Sequence, residues 1–311
     1  MSAPAGTAPG AGAPSGPEIV VINGETFGPR RGQSGWQLVS LDPLASISVL
    51  DRGLHFGDGL FETLACRNGR ARFLSLHLER LASGCGRLQI EPGSIDVIRR
   101  EIESALLNSD AALLKLIVTR GSAVARGYGR TGRETATRVL LRYAWPAEEP
   151  TAHRDGVRAR VAHMRLGENT ALAGMKHLNR LEQVLARSEM SAEDAGELLL
   201  FSSSGQLVSG TMSNVFLVQN GRLTTPRLDL CGVAGVMRRV VLLEAEKAGI
   251  TTEERVLSAE DLAGASEVFL TNARIGIWPV RSLDERSLTV GETTRRLQAL
   301  IDPMLENPVD A

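Results

Sequence analysis

A chain of 311 residues, 43% of them hydrophobic, is long enough to bury a sizeable core, and that length favours two domains over one. Its 35 basic and 36 acidic residues nearly cancel, which removes any electrostatic reason to expect nucleic acid or an anionic membrane surface as a partner. No apolar run approaches a bilayer span, and the N-terminus has neither a basic start nor an apolar stretch, so the chain is expected in the cytoplasm. Cys66, Cys85 and Cys231 are widely spaced and odd in number, which fits reduced core thiols better than a disulfide framework or a paired-cysteine zinc site. The histidines show no HExxH-like spacing, so a metal site has no support.

Met1–Pro17 is almost wholly Ala, Gly, Pro, Ser and Thr, a composition that cannot offset its ordering entropy, and residues 1–17 read as a disordered tail. Ile19–Ile22 reads as a strand closing at the Asn23-Gly24 turn. The Gly- and Pro-containing stretch 26–44 looks like an insertion and receives no function. Ser46–Leu50 is expected as a second short strand, followed by a glycine-rich segment, Phe56-Gly57-Asp58-Gly59-Leu60-Phe61. Leu60–Ala65 and Arg70–Leu74, joined by Asn68-Gly69, form an expected hairpin leading into a helix that carries His77-Leu78-Glu79-Arg80-Leu81. A packed or surface imidazole is the reading for His77. Ile95–Leu107 is an expected amphipathic helix with Ile95, Ile98, Ile102, Ala105 and Leu106 inward. Strands follow at Leu113–Thr119 and Arg138–Tyr143, the first running into Arg120-Gly121-Ser122 and Arg126-Gly127-Tyr128. An N-terminal domain over 18–148 thus ends in a Pro-bearing, acidic linker at 149–156.

The second domain, 157–311, opens with the strand Val157–Met164 and reaches Ala171–Arg187, where Leu178, Leu181 and Leu185 fall at helical spacing after Lys176. An amine there is either an ordinary solvated lysine or one whose pKa is lowered so that it acts as nucleophile and base. Expected strands at Glu197–Phe201, Gln206–Val208, Asn214–Val218 and Arg222–Thr225 precede a helix from Val236 to about Ala248, fed by the loop Cys231-Gly232-Val233-Ala234-Gly235. A glycine-bearing loop at a helix start is an ordinary connection or an anion site. Glu267–Leu270 is a strand that delivers Thr271-Asn272-Ala273.

The run Leu172-Ala173-Gly174-Met175-Lys176-His177-Leu178-Asn179-Arg180-Leu181-Glu182-Gln183 resembles the lysine segment of 4-amino-4-deoxychorismate lyases. These are members of the fold-type IV pyridoxal-phosphate enzymes, which also include branched-chain and D-amino-acid aminotransferases. The likeness covers most of Ile19 to Val280 and includes the FGDG-x-F segment, the H-x-x-R-L of His77–Leu81 and the RGS…RGY stretch. It implies an α/β fold of two domains with the cofactor in the cleft between them, and a homodimer. Lys176 would hold pyridoxal phosphate as a Schiff base. Arg80, otherwise a surface helix charge, would hold the cofactor phosphate, with the Val236 and Met237 amides opposite. Thr271 and Asn272 would bind phosphate or substrate. Arg126 would meet a substrate carboxylate or simply face solvent from its loop.

One departure bears on mechanism. In most relatives a glutamate five residues before the Asn of an N-[LVI]-F strand pairs with the cofactor's pyridine nitrogen; here that position, counted back from Asn214-Val215-Phe216, is Ser209. A hydroxyl can hydrogen-bond a neutral nitrogen but cannot hold a proton on it, which weakens the ring as an electron sink. Elimination tolerates that loss better than transamination does. Alternatively one of Ser202, Ser203, Ser204 or Ser213 is the group concerned, or the site has lost activity. The resemblance therefore implies release of pyruvate from 4-amino-4-deoxychorismate to give 4-aminobenzoate for folate synthesis. An aminotransferase of the same fold and a cofactor-free binding scaffold are the alternatives.

Overall fold

The computed structural model describes residues 17–27, 45–123, 126–146, 150–190 and 196–308. The expected tail and most of the 26–44 stretch lie outside them. Two sheets divide the chain. The first takes β1 (Ile19–Ile22), β2 (Glu25–Phe27), β3 (Gly59–Arg67), β4 (Arg70–Ala71), β5 (Ala111–Thr119) and β6 (Thr137–Ala144) in the order β2-β1-β6-β5-β3-β4, every pair antiparallel. A short α1 (Arg52–Phe56) precedes β3, while α2 (Leu74–Leu88) and α3 (Ile95–Leu106) cover one face. Leu60 and Leu64 of β3 and Leu114 and Leu116 of β5 meet Leu78 and Leu81 of α2 and Ile98 and Ile102 of α3 there, the inward row of each strand against the apolar stripe of each helix.

The second unit is an α/β layer structure. It contains α4 (Pro150–Asp155), β7 (Val157–Leu166), α5 (Leu181–Arg187), β8 (Glu197–Ser202), β9 (Leu207–Gly210), β10 (Asn214–Gln219), β11 (Arg222–Pro226), α6 (Val236–Lys247), β12 (Thr252–Arg255), α7 (Ala259–Gly264), β13 (Glu267–Asn272), β14 (Gly276–Leu283), β15 (Arg286–Ser287) and α8 (Glu292–Glu306). Its mixed sheet runs β12-β11-β10-β13-β14-β7-β8-β9, with β15 on β14. Strands β10 and β13 are apolar on both faces because both are covered: Val215, Leu217, Val268 and Leu270 enter one core, while Phe216 and Phe269 stack 4.9 Å apart beneath α6 and α8. Phe73 and Leu76, at the start of α2, join this second core and tie the two units together.

Three expectations change. Ser46–Leu50 forms no strand; only Asp51 bridges, to Ser122, and Ile47, Val49 and Leu50 stay exposed, because β-branched residues make a strand only where a sheet edge accepts them. The segment expected as a linker carries a helix, Pro150–Asp155, which buries Ala152 in the core of Val215 and Leu217. The lysine run is not helical until Leu181, and Leu181 and Leu185 face solvent at 68% and 50% exposure. The cysteines are free, and burial pushes the Cys66 and Cys85 thiols up to about 12 and that of Cys231 to about 11, so none is a reactive thiolate.

Candidate functional site

The residues before α5 run between the two sheets through a turn at Thr170–Ala173 and isolated bridges at Gly174 and His177. The Phe61 N–H donates to the Lys176 carbonyl at 2.9 Å and the Leu178 N–H to the Gly59 carbonyl at 3.0 Å, which attaches the run to the free edge of β3. Two residues upstream, Gly174 exchanges backbone bonds with the loop ahead of α6: its N–H donates to Gly232 at 3.1 Å and its carbonyl accepts from Ala234 at 3.0 Å. Lys176 is thus pinned to one domain on either side. Gly57, in the left-handed region at φ +63, could carry no Cβ without striking the Asn179 side chain, whose amide donates to the Gly57 carbonyl at 3.2 Å.

The Lys176 Nζ sits 4.1 Å from the centre of the Phe61 ring. Burial, and then the positive charge of Arg80, push the amine down to about 7, while Glu62 pulls the other way. A large share of the amine is therefore neutral, hence nucleophilic, near neutral pH.

Arg80 projects from α2 into the same region. Its Nε and Nη2 donate to the two Glu62 oxygens at 2.8 and 2.5 Å, and its Nη1 donates to the Ala234 carbonyl at 2.9 Å. His77, one turn earlier on α2, is buried and its Nδ1 lies 2.7 Å from Glu62 Oε2. Burial would raise the Glu62 carboxyl, but Arg80 and His77 outweigh it and hold the group down to about 2.

Val236 and Met237 begin α6, whose N-cap, Gly235, supplies no side-chain acceptor, so the first-turn amides are not capped by a side chain. A Cβ on Gly235 would lie 2.0 Å from Asn214 Oδ1, so only glycine lets the loop pass this close to β10. Asn214 pairs in register with Thr271, which puts both on the α6 side of the sheet, and the fully buried Thr271 hydroxyl has no hydrogen-bond partner among the described residues. An amine near its neutral form, a guanidinium with N–H groups to spare, an uncapped helix start and an orphaned hydroxyl suit a group carrying both an aldehyde and a phosphate, as pyridoxal phosphate does.

The remaining expected site residues fare differently. Asn272 is spent elsewhere: Oδ1 accepts from the Arg274 and Ile275 amides at 2.9 and 3.0 Å and Nδ2 donates to the Met212 carbonyl at 3.2 Å, so it closes its own turn and pins β13 to the β10 entry. Ser209 is buried and lies opposite Leu200 in the β8–β9 pairing, while its hydroxyl donates to the Gly210 carbonyl at 2.9 Å. The other candidate serines have different work, since Ser213 donates to Glu197 and Ser202 and Ser204 share a hydrogen bond beside Glu168. Arg126 is exposed on a loop whose next carbonyls, Gly127, Tyr128 and Gly129, all accept from Arg52 at 3.1 to 3.3 Å. Arg52 is in turn held by Asp58, which Arg120 also grips at 2.7 Å. The sequence marks Asp58 and Arg120 only as members of the FGDG-x-F and RGS motifs and gives Glu62 and Arg52 no role. The available signal was Glu62 in the inward row between Leu60 and Leu64, a carboxylate where an apolar residue is expected.

The amino-transferase class IV family model matches residues 59–283. The chain is 32% identical over 260 residues to the aminodeoxychorismate lyase of Vibrio harveyi, covering 82% of this chain and 96% of that protein. It is 28% identical over 243 residues to a D-alanine aminotransferase of Listeria monocytogenes, covering 77% and 83%. The crystal structure of 4-amino-4-deoxychorismate lyase from Pseudomonas aeruginosa superposes with a TM-score of 0.83 at 42% identity, over 92% of this chain and 99% of that one.

Proposed function

The chain belongs to the amino-transferase class IV family, whose members depend on pyridoxal phosphate, and on that premise we propose that it releases pyruvate from 4-amino-4-deoxychorismate to leave 4-aminobenzoate, a step of folate synthesis. The observation that carries the reading is Lys176, a near-neutral amine fixed between the domains in a run that resembles lyase sequence. Bound there, pyridoxal phosphate supplies an aldehyde that captures the substrate's amino group and a ring that draws electrons from the carbon bearing it.

The chain's own residues do the rest. Arg80, the Val236 and Met237 amides and Thr271 hold the phosphate and so fix the reach to Lys176. The free Lys176 amine would take the proton from the same ring carbon, and its depressed pKa suits it to receive and return that proton at neutral pH. Breaking the bond to the enolpyruvyl oxygen would complete an aromatic ring, which makes the step strongly downhill, and the departing enolate would take up a proton at its methylene carbon to become pyruvate. The Ser209 hydroxyl, which here donates to the Gly210 carbonyl, could at most turn to hydrogen-bond the ring nitrogen and could not keep it protonated, which would favour elimination over transamination. Arg126 is read as a carboxylate contact, and the working form as a homodimer.

The test combines colour and product. The purified protein is expected to absorb visible light and to release 4-aminobenzoate and pyruvate in equal amounts, and Lys176→Ala is expected to lose both. A colourless wild type would leave only the binding-scaffold reading, and amino-acid turnover with a keto-acid acceptor would move the chain among the aminotransferases.

A further inference from the structure

We propose that Glu62 is a positioning residue for anion recognition: it clamps Arg80 so that the outer edge of the guanidinium faces the cofactor's phosphate, with His77 locking the carboxylate from behind. The proposal rests on Arg80 being the phosphate ligand, and it concerns what makes that arginine selective.

The geometry is that of a fork held by its inner edge. Of the five guanidinium N–H groups, Nε and one on Nη2 go to Glu62 and one on Nη1 goes to Ala234. One N–H therefore remains on each terminal nitrogen, enough for two phosphate oxygens. The Ala234 carbonyl belongs to the loop that leads into α6, so the contact also sets the distance from Arg80 to the Val236 and Met237 amides. Glu62 is itself fixed. A carboxylate only accepts, so His77 Nδ1 is the donor in their 2.7 Å contact, and a neutral ring then has its lone pair on Nε2. That Nε2 is buried with no hydrogen-bond partner, so nothing competes to turn the ring away. Burial lowers the pKa of His77, in keeping with a neutral ring.

A merely structural ion pair between β3 and α2 would stabilise the fold without caring which ligand enters. A clamp would discriminate. The experiment strips the full-length protein of cofactor and titrates it by absorbance with pyridoxal phosphate and with pyridoxal, which lacks the phosphate. In Glu62→Gln an amide N–H replaces one acceptor and meets an arginine donor, opening the fork. Its affinity for pyridoxal phosphate is expected to fall roughly 10-fold or more relative to that for pyridoxal, a ratio from which any effect of Glu62 on the Lys176 amine cancels. His77→Leu, which removes only the rear donor, is expected to show the same selective loss at about 3-fold, and it serves should Glu62→Gln fail to fold. Equal losses for both ligands, or unchanged or tighter binding of pyridoxal phosphate, would overturn the clamp. Arg80→Met separates the two ideas: if it abolishes the preference for the phosphorylated ligand while Glu62→Gln and His77→Leu keep it, the clamp fails and the phosphate reading stands; if Arg80→Met keeps the preference, both fall.

Discussion

At Lys176 the chemistry depends on the sign of a single shift. Burial and Arg80 lower the amine's pKa from 10.5 to about 7, so its neutral fraction rises as pH climbs through 7 rather than through 10. The rate at which cofactor-free protein takes up pyridoxal phosphate should therefore rise about tenfold per pH unit in the acidic range and level off above about pH 8. A midpoint near 10 would mean that the amine is solvated in solution. Ser209 carries a second prediction. Glu at this position would restore a carboxylate able to keep the ring nitrogen protonated, so Ser209→Glu should gain transamination and lose pyruvate release; no change in either assay would remove Ser209 from the mechanism. Lys176 and Arg80 were legible in the sequence because short runs carry them. Glu62 and His77 were not, since a buried carboxylate is defined by its partners, which come from α2 while Glu62 sits on β3.

Among the elements, the loop after β5 shows how far a sequence pattern can be from its support. Arg126 and Tyr128 were singled out by their own motif, yet what holds them is Arg52, more than seventy residues earlier, a buried guanidinium spread over three successive carbonyls. Lysine cannot reproduce that planar fork. Arg52→Lys should keep the charge facing Asp58 while freeing the loop, so hydrogen exchange at residues 127–130 should quicken, and the KM for a carboxylate substrate should rise several-fold with little change in kcat if Arg126 meets that group. Unaltered protection in the loop would show that Arg52 does not organise it. The spacing of α5 teaches a similar lesson. Leu181, Val184 and Leu185 repeat as an inward stripe would, but the structure leaves them exposed, because periodicity defines an apolar face without saying what covers it.

Over the whole molecule those side chains join others. Leu54 on α1 is 65% exposed and Tyr128 83% exposed, Tyr128 packs on Phe56 at 5.3 Å, and the Gly57–Asn179 hydrogen bond joins α1 to the approach to α5. Exposed apolar side chains on both α1 and α5, which that hydrogen bond links, are what a subunit contact would cover, and a second copy of the chain is the occupant expected from the family resemblance. Leu54→Glu combined with Val184→Glu should convert a dimer into a monomer in light scattering with the far-ultraviolet dichroism preserved. A wild type that scatters as a monomer, or a double variant that still dimerises, would place the contact elsewhere or nowhere.

Local order in the sequence determined the strands β5, β6, β8, β10 and β13 and the helices α3 and α6, and it singled out Lys176 as the candidate amine, because alternation, helical periodicity and a compact lysine run are written in neighbouring residues. Tertiary structure decided which apolar faces are covered, that 46–50 stays irregular while 150–155 becomes helical, that Asn272 serves its own turn, and that Arg80 is gripped by Glu62. Burial, desolvation and hydrogen-bond satisfaction depend on groups distant along the chain, and no local pattern records which of them will meet.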